Sequence, residues 1–334
     1  MTGAPAVELR ALTKVYEPSP RWMRVLTRSA SRSSKVALDG VDLTVQRGTI
    51  CAVVGPNGAG KSTMFRLLMG LTTPTSGSAH VLGLDCSRRA ESRRMPIGFM
   101  PADDRSLFLR LSCHENLAFQ ASLRGYAGPR LDRRVEEVLE MVDLSASRDT
   151  AAFALSSGMK ARLQLARAMV HEPAVLILDE PTSTVDPVAA DDLLRLIQRL
   201  TLEQSLAVML SSHRLEEIDA LDEMVVLLDA GKVVFRGDLR ALRQIAALTE
   251  VVLELTTDAV AAEVAGALEL LPDVASVHHR GRVVELTANL PLGAVLAALG
   301  PRTADVVHVD ERSSSTRSLL REVYSSARAE RRAS

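Results

Sequence analysis

Aromatic residues make up only 3% of this chain, so little is available to stack on exposed bases. Excess basic charge is also missing: 40 Lys and Arg stand against 41 Asp and Glu, a formal net charge of −1. A general nucleic-acid binder needs a basic surface to neutralise phosphates, and this balance excludes that class. Cysteine is equally sparse. Cys51, Cys86 and Cys113 show no paired metal spacing, and an odd count in a chain of 334 residues builds no disulfide framework. They read as reduced, cytosolic core thiols. No apolar run reaches the roughly 18 residues needed to span a bilayer. The stretch Met1 to Arg10 lacks the basic start and apolar run of a signal peptide. A membrane role is therefore expected to come through a partner.

What is present is a phosphate loop. Gly55 to Thr63 reads G-P-N-G-A-G-K-S-T and fits G-x-x-x-x-G-K-[ST] at every fixed position. The apolar run Thr49 to Val54 before it reads as a buried strand, and Thr63 to Leu71 after it as a helix, which is the setting the motif requires. Backbone N–H groups of Gly55, Asn57, Gly58, Ala59 and Gly60, with Thr63 at the helix start, would curl around phosphates, aided by the helix N-terminus. Lys61 would reach the β- and γ-phosphates, and the Ser62 hydroxyl would sit on Mg2+. A nucleoside triphosphate is the implied ligand.

A second apolar run, Ala174 to Leu178, ends in Asp179 and Glu180, so two carboxylates emerge at the carboxyl edge where open α/β sheets bind ligands. Adjacent strand residues point to opposite faces, which gives the two acids different work. Asp179 can approach Mg2+ through water. Glu180 can orient and deprotonate an attacking water.

Between these motifs Leu155-Ser156-Ser157-Gly158-Met159 precedes a strongly helical stretch. Here the chain resembles the nucleotide-binding subunits of ATP-binding cassette transporters, whose L-S-G-G-Q signature opens such a helix. Ser157 and Met159 depart from that consensus, in a form similar to drug and polysaccharide exporters. The resemblance implies that Ser156 and the amide of Gly158 contact the γ-phosphate across a dimer interface. It covers Glu8 to about Asp238. Within it Tyr16 resembles the aromatic that stacks on adenine, Asp186 in Ser183 to Pro187 resembles the key residue of the loop coupling two ATP sites, and His213 resembles the switch histidine. A further position departs: Ala102 stands where cassettes carry a glutamine that touches Mg2+, with Asp103 or Asp104 as candidate substitutes.

The implied fold is a RecA-like α/β phosphate-loop core with an antiparallel β edge and an inserted helical subdomain, about 103–170, followed by a small ferredoxin-like α+β domain. The cassette is expected over 1–240, and the second domain, regulatory or dimerising, over 249–334. In the helical part, Glu115 to Arg124, Arg130 to Val142 and Gly158 to Val170 show the 3.6-residue period. The second domain reads as strands Glu250 to Thr256, Val274 to His279, Val283 to Thr287 and Asp305 to Val309. Helices are expected over Ala259 to Leu271, over Pro291 to Leu299 and at the end of the chain. His278, His279 and His308 lack acids or cysteines at metal spacing. A basic insertion, Glu17 to Lys35, contains the only tryptophan, Trp22, on a short amphipathic stretch suited to a membrane interface or partner groove. The tail Ala327 to Ser334 is Arg-rich.

The resemblance implies an ATP- and Mg2+-dependent ATPase subunit of an exporter. It would form a homodimer or heterodimer and power a separate transmembrane permease from the cytoplasmic face of the membrane. Two other classes stand beside it: a soluble cassette ATPase acting on ribosomes or DNA, and a low-turnover nucleotide-sensing regulator.

Overall fold

The computed structural model describes residues 4–17, 33–88, 91, 95–103, 106–213, 224–238, 241–242, 249–288 and 290–313. Apart from its two ends, the expected insertion with Trp22 lies outside these residues, as do Asp104, the final expected helix and the Arg-rich tail. The chain divides into two compact units, Met1–Asp238 and Leu239–Ser334.

Along the first unit, β1 (Val7–Tyr16) and β2 (Lys35–Val45) lead into β3 (Ile50–Val54), α1 (Lys61–Leu68), β4 (Ser76–Val81), β5 (Leu84–Asp85) and β6 (Ile97–Met100). Helices α2 (Cys113–Ser122), α3 (Gly128–Met141) and α4 (Ser157–Met169) follow. The unit closes with β7 (Val175–Asp179), α5 (Pro187–Glu203), β8 (Ala207–Ser212), β9 (Met224–Asp229) and β10 (Lys232–Asp238). The strands form two sheets, an antiparallel one in the order β2-β1-β4-β5 and a six-stranded one in the order β10-β9-β3-β8-β7-β6. Neighbours in the larger sheet run parallel except β10 on β9.

Sequence sets this arrangement through burial. Every residue of β3 and β8 is buried, as are the first four of β7, so consecutive side chains are covered on both sheet faces. Because β3, β8 and β7 are parallel neighbours, their carboxyl ends share one edge. In register, Ser211 of β8 faces Val53 on one side and Asp179 on the other. Motifs far apart in the chain meet there.

The helices start earlier than the apolar period indicates. Ser112 accepts from Glu115 N–H while the Glu115 carboxylate accepts from Ser112 N–H, a reciprocal cap that begins α2 at Cys113. Pro129 occupies the first turn of α3, where its missing N–H costs nothing. Arg134 of α3 is buried and donates to the carbonyls of Met169 and Val170, satisfying the end of α4.

The second unit runs β11 (Thr249–Leu255), α6 (Asp258–Leu268), β12 (Val274–Arg280), β13 (Val283–Ala288), α7 (Leu292–Leu299) and β14 (Val306–Ser313). Its antiparallel order β12-β13-β11-β14 is the ferredoxin-like arrangement. Val251, Leu253, Leu255, Val284 and Leu286 alternate along the strands and pack with Val264 and Leu268 of α6 and Val295 and Leu299 of α7. His278 and His279 lie on one edge strand and His308 on the other, with β13 and β11 between them. The three histidines therefore do not cluster, and among the described residues no group of His, Cys, Asp or Glu is arranged to hold a metal.

Candidate functional site

The phosphate loop joins the end of β3 to the head of α1. Gly60 caps α1 with φ +117, a left-handed conformation, and a Cβ there would stand 2.5 Å from the Ala37 carbonyl oxygen. Only glycine satisfies both the angle and the close approach. The loop lines a cavity of about 290 Å³ that also takes in Tyr16, Lys35, Ala37, Arg66 and Glu180. Pro56, Asn57, Gly58, Ala59, Gly60, Lys61, Ser62 and Thr63 all contribute to its wall. Lys35 pairs with Tyr16 across β1 and β2. Two cations that the motif does not contain, Lys35 and Arg66, thus border the cleft.

The charged centre is compact. Lys61 is 6% exposed, and its Nζ donates to the Gly55 carbonyl at 2.6 Å and stands 3.5 Å from Glu180 Oε1. Glu180 Oε2 is 3.2 Å from His213 Nδ1. Ser62 Oγ donates to Asp179 Oδ2 at 3.1 Å. Strand alternation does not govern the two acids. Asp179 is the last residue of β7, and Glu180 turns away with φ +48, so both carboxylates enter one site through different bonds.

Other candidates stand apart from this cleft. Ser156 caps α4, its Oγ accepting from Met159 N–H at 3.2 Å, and Asp186 caps α5, its Oδ1 accepting from Ala189 N–H at 3.1 Å. Gly158 lets these two helix starts touch, since a Cβ there would be 2.9 Å from Ala189 Cβ. Asp103 is exposed, its backbone carbonyl accepts from the Gln164 side chain, and it is not part of the described cleft lining. At the departure from the glutamine pattern, Ser183 Oγ donates to the Ala102 carbonyl at 3.1 Å.

Sequence reasoning missed Ser211. It is fully buried, its hydroxyl donating to Asp179 Oδ1 at 2.7 Å and accepting from Glu180 N–H at 2.8 Å. The one available signal was its place two residues before His213.

The sheet order and this cleft define a phosphate-loop nucleotide-binding protein. The family model described as "ABC transporter" matches residues 38–183. The methionine import ATP-binding protein MetN of Corynebacterium diphtheriae is 31% identical over 306 residues, covering 89% of this chain and 84% of the relative. The protein of that name from Geobacillus kaustophilus is 33% identical over 236 residues, 70% of this chain but only 65% of the relative's length. The Nod factor export ATP-binding protein I of Cupriavidus metallidurans is 37% identical over 202 residues, 60% of this chain and 66% of the relative. Among solved structures, the dimeric post-hydrolysis cassette MJ0796 bound to ADP and Pi matches 70% of this chain and 99% of its own, with TM-score 0.59 and 25% identity. The chain belongs to the ATP-binding cassette transporter family.

Proposed function

We propose that this protein is the ATP-hydrolysing subunit of an export system. The observation that carries the ATP-hydrolysing part of this reading is the meeting of buried Lys61 with Glu180 and His213 beside the Ser62–Asp179 pair. ATP fits the cleft. The loop N–H groups, the head of α1 and the cations Lys61, Lys35 and Arg66 complement phosphates, and the partly exposed Tyr16 ring offers a face to adenine. Ser62 and Asp179 supply hard oxygen donors that suit Mg2+. When bound, that ion neutralises phosphate charge.

Glu180 then takes the proton of the attacking water as its oxygen bonds to the γ-phosphorus and the bond to the departing ADP oxygen breaks. His213 orients the Glu180 carboxylate, and Lys61 stabilises charge at the transferred group. Ser156 and Gly158 serve the site of a second cassette, so the active species is a homodimer or heterodimer. The dimeric state of MJ0796 supports this.

A permease docks on the helical lobe. Phe108 and Phe119 meet edge to face at 5.0 Å and are 46% and 43% exposed, beside exposed Leu109, whose carbonyl accepts from the N–H of the more exposed Phe153. Exposed aromatic groups of this kind mark protein contacts. No helix among the described residues is long and apolar enough to cross a membrane. In the proposed assembly the chain sits at the cytoplasmic face, held by the permease.

Export draws support from the Nod factor export relative. Import is the second reading, favoured by the Corynebacterium relative, whose match covers 89% of the chain and so extends past the 238 residues of the first unit. Glu180→Gln is expected to lower ATP turnover at least about 100-fold while retaining nucleotide binding and trapping an ATP-bound dimer. Turnover at the parental rate would remove Glu180 as the base. Pull-down of that variant with ATP from solubilised membranes should recover a polytopic membrane protein. Recovery of ribosomes or DNA-associated proteins instead would favour the soluble class, and feeble turnover by the parent protein would favour the sensor.

A further inference from the structure

Ser211 joins the two acids of the site through a single hydroxyl. Its proton goes to Asp179 Oδ1 and its lone pair receives Glu180 N–H, at 2.7 and 2.8 Å, so the group is fixed in orientation. Asp179 uses its other oxygen for Ser62. A continuous chain of bonds therefore runs from the head of α1 through the end of β7 to the end of β8.

Glu180 is the residue with most to gain from such a hold. Its φ of +48 lies in the left-handed region, which residues other than glycine seldom adopt without local support. Ser211 fixes its backbone N–H, and His213, two residues further along the chain, meets its carboxylate at 3.2 Å. The end of β8 thus grips Glu180 at both backbone and side chain. Full burial of Ser211 leaves no open route for water to replace the hydroxyl.

We infer that Ser211 is a positioning residue for hydrolysis, setting the Glu180 carboxylate over Lys61 by fixing the Glu180 backbone N–H. This rests on the reading of Glu180 as the base. Removal of the hydroxyl strands a carboxylate oxygen and an amide N–H, and Glu180 relaxes from its strained turn. The phosphate loop makes no described bond to Ser211 and keeps its grip on nucleotide.

The test is steady-state ATP turnover and nucleotide binding for Ser211→Ala, Ser211→Thr, Glu180→Gln and the Ser211→Ala/Glu180→Gln pair. Ser211→Ala should lose about 30- to 100-fold in kcat, the scale of a misplaced reacting group, with KM and nucleotide Kd within about threefold of the parent. Ser211→Thr, which keeps the hydroxyl, should recover most of that loss. The double variant should be no slower than Glu180→Gln, because Ser211 acts through the same group. A Ser211→Ala kcat within about twofold of the parent overturns the inference, as does a full additional loss in the double variant or a Thr variant no better than Ala. Should Ser211→Ala fail to fold, Ser211→Cys, close to serine in size but with a far weaker donor and acceptor, takes its place and is judged by the same kcat criterion. Parental turnover by Glu180→Gln would instead sink the base assignment itself, an outcome separate from these.

Discussion

Cys51 is the second residue of β3, the strand that leads into the phosphate loop, and is fully buried. Burial disfavours its thiolate and pushes its pKa from 9.0 up to about 12, with a small opposing pull from Arg236, and burial does the same to Cys86, also to about 12. The native protein is therefore expected to react negligibly with an aromatic disulfide reagent at pH 8 and to release all three thiols in denaturant. Fast native reaction mapped to Cys51 would show that β3 opens. A raised folded pKa also fixes a sign. The stabilising contribution is complete below 9.0 and is lost as pH climbs from there toward 12, so the unfolding free energy of the cassette from urea denaturation should be lower at pH 10 than at pH 8, by on the order of 1 kcal/mol for Cys51. At this scale the sequence was legible where chemistry repeats a fixed local pattern, as with Lys61, Ser62, Asp179 and Glu180. Ser211 carries no such pattern: a serine ending an apolar strand gains its meaning from the pairing of β8 with β7, which is a tertiary fact.

Among the elements, α2 shows why the apolar period locates helices better than it locates their ends. The period over Glu115 to Arg124 placed the helix, but its start at Cys113 is set by Ser112 and Glu115 bonding to each other's backbone. The same helix carries Asn116, fully buried, whose side-chain oxygen accepts from Phe108 N–H at 2.9 Å and whose amide donates to the carbonyls of Phe108, Leu111 and Ser112. This one side chain shapes the turn that displays Phe108. Nothing in a single asparagine within a polar stretch distinguishes it from a solvated residue, so the link stayed hidden in sequence. Asn116→Ala should lower the stability of the first unit by about 2 to 3 kcal/mol, since several buried backbone groups lose a partner at once. Urea denaturation followed by circular dichroism measures it. A loss below about 0.5 kcal/mol would mean that water replaces the amide.

At the scale of the whole molecule, two units with separate cores share one chain. The second was readable because its strands alternate: Val251, Leu253 and Leu255 face inward while their neighbours do not, and β12 and β13 are joined by a two-residue turn. Its charged open face was not readable. There β13 sets Glu285 opposite His278, and β11 sets Glu254 opposite His308, pairings that depend on register. Every described residue of the candidate nucleotide site, from Tyr16 to His213, belongs to the first unit. A chain ending at Asp238 is therefore expected to bind nucleotide with a Kd within about threefold of the full-length protein. Residues 239–334 alone should unfold in one cooperative transition, because they hold a complete two-layer core. Titration with a fluorescent ATP analogue and thermal melting of each piece check both statements. Loss of nucleotide binding on removal of the second unit would show that it supports the cassette itself. A cassette that still binds ATP but no longer dimerises would assign that unit to assembly.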